Sequence, residues 1–115
     1  MPFAGCVAVA VGAAAAFGVI KHENNEASRY YEAALKPTFD ATVESMRAEG
    51  FPVPEGLAPG TKEGEIAAGD ARVRVISRDE KVTSVLVRIG TFDTEEHRIK
   101  SRRILDGVAQ RLGVR

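Results

Sequence analysis

Few side chains in this sequence are equipped for chemistry: one cysteine, Cys6, and two histidines, His22 and His97, among 115 residues. A thiol serves as nucleophile, metal ligand or acylation site, and an imidazole as base or ligand. Neither histidine stands in zinc-type spacing with the other or with Cys6, so no metal and no cofactor is expected. The hydroxyls of Ser28, Ser45, Ser77, Ser84 and Ser101 lie outside any G-x-S-x-G frame, and no base is placed to activate them. The run from Gly56 to Gly64 lacks the G-x-x-x-x-G-K-[ST] order of a phosphate loop, because Thr61 stands between Gly60 and Lys62, and it leads into a strand pattern instead of a helix. Glu23, Glu26 and Glu32 read as a solvated acidic run, and Glu95 and Glu96 as helix-start residues favoured by the macrodipole. No catalytic residue emerges, and the chain is read as non-enzymatic.

Cys6 is the exception, because of its surroundings. Phe3-Ala4-Gly5-Cys6 resembles the lipobox of bacterial lipoproteins, where small residues precede a cysteine whose sulfur takes diacylglycerol and which becomes the new N-terminus. The span from Phe3 to Ile20, 18 residues, carries no charged side chain. That length is near the lower limit for crossing a bilayer, but Ala and Gly contribute little to insertion. Ala4, Ala8, Gly12 and Ala16 fall at the four-residue spacing that lets membrane helices approach closely, a spacing nearly unavoidable in so Ala-rich a stretch. Three readings stay open: lipidation at Cys6, a spanning or signal-anchor helix, and a buried helix of a soluble domain. Only five residues precede Cys6, whereas a cleavable signal carries a basic region and about 7–15 apolar residues, so lipidation implies upstream sequence. A lone cysteine forms no internal disulfide and leaves the redox compartment unmarked.

Composition bounds the remainder. With 16 basic and 16 acidic residues and 44% hydrophobic ones, the chain suits one compact domain and lacks the basic excess of a nucleic-acid binder. Residues 1–20 are read as the apolar membrane-targeting segment, 21–26 as a polar tether, and 27–115 as a single α+β domain. Tyr31, Ala33 and Leu35 alternate with Tyr30, Glu32 and Ala34 as in a strand, which Pro37 stops before opening a helix. Phe39, Thr42, Val43 and Met46 share one face of that helix, and Gly50 marks its end. The Pro- and Gly-rich stretch from Pro52 to Gly60 leaves room for one short edge strand at most.

Strands are then predicted over Thr61 to Ala68, Ala71 to Arg78 and Lys81 to Ile89, turning at Gly69-Asp70 and Asp79-Glu80. Val73 and Val75 alternate with Arg72 and Arg74, giving one covered and one wet face. Asp93 or Thr94 caps a last helix, Asp93 and Glu96 standing in capping-box spacing, with Ile104, Leu105, Val108, Ala109 and Leu112 as its apolar stripe. Two amphipathic helices and a one-faced sheet bury their apolar surfaces together as two layers, both helices on the same face of an antiparallel sheet of four or five strands, in the order β-α-β-β-β-β-α. Arg98, Lys100, Arg102 and Arg103, with Arg72, Arg74 and Arg88 of the sheet, read as a solvated surface balanced by Glu95 and Glu96, or as a contact for anionic headgroups or an acidic partner.

Phe3-Ala4-Gly5-Cys6, the Ala/Gly run, the Tyr-bearing first strand, Pro37 opening a helix through Phe39-Asp40, Gly50-Phe51, and Val87-Arg88-Ile89-Gly90-Thr91-Phe92-Asp93 together resemble a family of small, functionally uncharacterised bacterial lipoproteins. The element order is also similar to the helix-grip domains of the lipoprotein subunit of the outer-membrane β-barrel assembly machinery. The resemblance implies a lipid-anchored envelope domain facing the periplasm, held through Cys6 or an apolar helix, with an envelope protein as partner and no catalytic residues. The other function to weigh is binding of a small lipophilic ligand between sheet and helices.

Overall fold

Residues 17–114 are described by a computed structural model of the chain. Five strands, β1 (Lys21–Glu23), β2 (Glu26–Tyr31), β3 (Glu63–Ala68), β4 (Ala71–Asp79) and β5 (Val82–Ile89), form one antiparallel sheet in the order β1-β2-β5-β4-β3. The helices are α1 (Leu35–Ala48) and α2 (Glu95–Leu112). The fold is α+β, and both helices cover one face of the sheet, sharing with it a single core.

Period-2 alternation builds that core. Register sets Ala27 and Val73 beside Val87, Val75 beside Val85, and Ala71 beside Ile89, all buried on the covered face. The helices fill the space above with Phe39 and Met46 from α1 and Ile104, Leu105 and Val108 from α2, each fully buried. Truncating one such large side chain to alanine costs about 2–5 kcal/mol. Tyr31 joins this core by donating its hydroxyl to the Leu105 carbonyl, and Thr83 of β5 donates to the Ala33 carbonyl at 2.8 Å, fixing the exit of β2.

Small polar residues lie along the buried side of α1. Thr38, Thr42 and Ser45 are all buried, and Thr38 and Thr42 return their hydroxyls to carbonyls four residues back, at 2.7 Å each. Ser45 donates across the interface to the Ile104 carbonyl at 2.7 Å. Gly107 faces Ser45 there, where a Cβ would collide with its side chain.

Several boundaries differ from the sequence reading. The segment 21–26, expected as a tether, is a hairpin: Lys21, His22 and Glu23 pair with Ser28, Ala27 and Glu26. Its polarity is that of a short edge strand, and Asn24 takes the left-handed turn conformation, φ 57°, that asparagine tolerates. The first strand ends at Tyr31, and α1 begins at Leu35, so Pro37 is its third residue, still among the positions whose N–H has no intrahelical acceptor. No strand lies between Phe51 and Lys62, so the element order is β-β-α-β-β-β-α. Gly69-Asp70 does form the β3–β4 turn, Gly69 at φ 60°. The next turn sits one residue later, at Glu80-Lys81, because Asp79 pairs with Val82 across a bulge and accepts the Lys81 N–H at 2.7 Å. Thr94 is the cap of α2, accepting the His97 N–H at 3.1 Å, while Asp93 binds Arg98 through two hydrogen bonds in place of a capping box.

Candidate functional site

Cys6 and the rest of 1–16 lie outside the described residues. What the structure describes is the place where that segment joins the domain. Phe17 forms a parallel bridge with Tyr30 of β2, and Ile20 packs against the core, so the apolar segment reaches the body at the β1–β2 edge without an intervening linker.

The face of the sheet that neither helix covers is one candidate surface. Register aligns Tyr30, Ser84, Ile76 and Glu63 in one row, Lys21, Ser28, Leu86, Arg74 and Glu65 in the next, and Glu23, Glu26, Arg88, Arg72 and Ala67 in a third. Its centre is half-buried and largely apolar at Tyr30, Ile76 and Leu86, around the buried Ser84, whose hydroxyl accepts from Arg78 at 2.9 Å. Around this centre stand loose ion pairs, Arg74 with Glu63 at 3.8 Å and Arg88 with Glu26 at 4.0 Å. Exposed pairs of this kind contribute little to stability.

The seven basic residues considered together in the sequence are not brought together. Arg72, Arg74 and Arg88 occupy the open face, and α2 lies across the other one. Within α2, Arg98 is held by Asp93 at 2.7 Å, Lys100 by Glu96 at 3.6 Å, and Arg103 by Glu49 of α1 at 3.9 Å. Arg98 in turn holds the Asp93 carboxyl below the usual carboxylate range.

Sequence reading missed Arg29. It alternates as an inward-facing position of β2 between Ala27 and Tyr31, yet is a cation, and it is 95% buried, with 5% exposure. Its guanidinium stacks over the Tyr31 ring, 5.0 Å from the centroid, and faces Asp106 of α2 at 3.6 Å. Placing Arg29 in the strand's period-2 pattern was the available signal. His22 lies on the same side of the sheet as Ala27, its register partner. Burial first, then the charges of Arg98 and Arg102, push its imidazole below the ordinary value of 6.5. His97 is structural in its contacts: its Nδ1 lies 2.9 Å from the Phe92 carbonyl oxygen.

Among the described residues, no group of three or more His, Cys, Asp or Glu side chains is arranged to hold a metal ion, and no helix is long and apolar enough to cross a membrane. A hollow of about 780 Å³ opens at one end of the sheet between the start of α1 and the β4–β5 turn, with Leu35, Pro59, Lys62 and Arg78 in its wall. It does not lie between sheet and helices, where Tyr31, Phe39, Met46 and Leu105 fill the space.

No curated protein matches the chain. Residues 1–111 match the family described as a protein of unknown function, DUF3568, a span that takes in the apolar segment as well as the domain. The chain belongs to this uncharacterised family.

Proposed function

We propose that this protein is a non-enzymatic accessory domain of the bacterial envelope, anchored through a lipid on Cys6 with the domain facing the periplasm, and that it binds a protein partner through the open face of its sheet. The observation that carries the reading is the layout of that face. A half-buried centre of Tyr30, Ile76 and Leu86 is bordered by Arg74, Glu63, Arg88 and Glu26, the arrangement of an apolar core within a polar rim that protein interfaces use. The anchor supports it: the uncharged segment behind the lipobox-like Phe3-Ala4-Gly5-Cys6 meets the domain at Phe17, at the edge of the same sheet. A lipophilic-ligand site between sheet and helices finds less support, because large side chains occupy that layer.

A photocrosslinking side chain at Leu86, with a control at Asp40 on the exposed side of α1, tests the partner surface in cells. A discrete adduct from Leu86, weakened by Arg74→Glu and absent from Asp40, is the expected result. Equal labelling from both positions, or none from Leu86, contradicts the reading.

A further inference from the structure

Among the described residues, Arg29 is the one charged side chain that the fold buries. A buried charge is tolerated when it is paired and its hydrogen-bonding groups are satisfied. Arg29 meets the first condition loosely and the second incompletely. The Asp106 carboxylate stands 3.6 Å from Nη1, and Nε has no hydrogen-bond partner. Only one other buried side-chain nitrogen or oxygen among the described residues is without a partner, and it is Nε2 of His22.

These two orphan atoms belong to neighbouring strands on the same side of the sheet. His22 on β1 sits beside Ala27, and Arg29 is the next residue of β2 on that same covered side. Over them runs α2, with Arg98, Arg102 and Asp106 at successive four-residue steps, hence along one stripe. Asp106 faces Arg29, and the charges of Arg98 and Arg102 act on His22. The local charges do not cancel. Asp93 takes Arg98 and Asp106 takes Arg29, while no acidic side chain among the described residues pairs with Arg102.

Unneutralised positive charge beside two unsatisfied buried nitrogens calls for an anion. Donors approaching from a strand, from its edge neighbour and from the helix above match an anion with several acceptor oxygens spread tetrahedrally. A planar carboxylate would satisfy a single arginine fork. We propose that Arg29, His22 and Arg102 form a binding site for a phosphate group, entered from the β1 edge beneath α2. The group is supplied by a free phosphate or by a phospholipid headgroup. The site does not depend on acylation of Cys6 or on the open face of the sheet.

The test uses the full chain in nonionic detergent, titrated calorimetrically with inorganic phosphate against a chloride background of equal ionic strength. In a second arm it is sedimented with vesicles of phosphatidylglycerol or of phosphatidylcholine. Arg102→Ala and His22→Ala remove donors at the rim without emptying the core, and Arg72→Ala removes a charge from the opposite face. Saturable phosphate binding that weakens at least tenfold in Arg102→Ala and His22→Ala, with Arg72→Ala as wild type, supports a site for free phosphate. Silence toward inorganic phosphate with phosphatidylglycerol-selective sedimentation, lost in the same two variants alone, supports a headgroup site. Absence of binding in both arms, or binding reduced equally by Arg72→Ala, overturns the proposal.

Discussion

At the scale of single residues, the interior is held by a few polar contacts that have no spare partners. Tyr31 donates its hydroxyl to the Leu105 carbonyl, and burial pushes its phenol well above the ordinary tyrosine range. Tyr31→Phe leaves that bond unmade and is expected to destabilise the domain by about 1–2 kcal/mol, read from the urea midpoint at unchanged slope. His22 gives a pH signature. Its folded-state pKa lies below 6.5, through burial and the nearby Arg98 and Arg102, so on acidification the unfolded chain takes up this proton first. The contribution is complete above pH 6.5 and declines as the pH falls from there through the folded value. Unfolding measured between pH 8 and pH 5, wild type against His22→Gln, is expected to show a steeper acid-side loss in the wild type; parallel curves would remove His22 as the cause. Arg29 was the least legible residue. A cation at an inward position reads as an interruption of the pattern, and only the meeting of β2 with α2 reveals the Tyr31 ring and Asp106 that accommodate it.

At the scale of elements, local rules decided most of the structure, and tertiary pairing decided the rest. The last three strands were legible because Val73, Val75, Val85 and Val87 alternate with residues facing the open side, and Gly69 supplies the turn. Strand β1 was not legible: Lys21-His22-Glu23 has no apolar alternation, and it is a strand because β2 offers it a free edge. Helix packing was half legible. Phe39, Met46, Ile104 and Leu105 announced the core faces, but Ser45 and Gly107 are small residues whose role comes from close approach of the helices. Gly107→Ala gains up to about 1 kcal/mol of helix propensity and forces a Cβ onto Ser45, an overpacking cost of about 1–3 kcal/mol. A net fall in melting temperature is expected, partly restored in Gly107→Ala with Ser45→Gly. Thr94→Ala removes the side-chain acceptor for the His97 N–H and is expected to cost about 1 kcal/mol by denaturant titration.

At the scale of the whole molecule, two helices cover one face of a five-stranded sheet and, among the described residues, leave the other face open, while the sheet receives the uncharged N-terminal segment at the β1–β2 edge. That asymmetry was legible in outline, because amphipathic helices and a one-faced sheet have few other ways to bury their apolar sides. The chemistry was less so: nothing in spacing foretold that the buried Arg29 of β2 would face Asp106 of α2. The anchor is the central claim, and intact mass of the membrane-extracted product, expressed with its native upstream region beside a Cys6→Ser variant, tests it most directly. The account predicts a chain beginning at Cys6 and carrying the mass of a diacylglyceryl group, with both the processing and the added mass lost in Cys6→Ser. An unmodified chain retaining Met1 would contradict it.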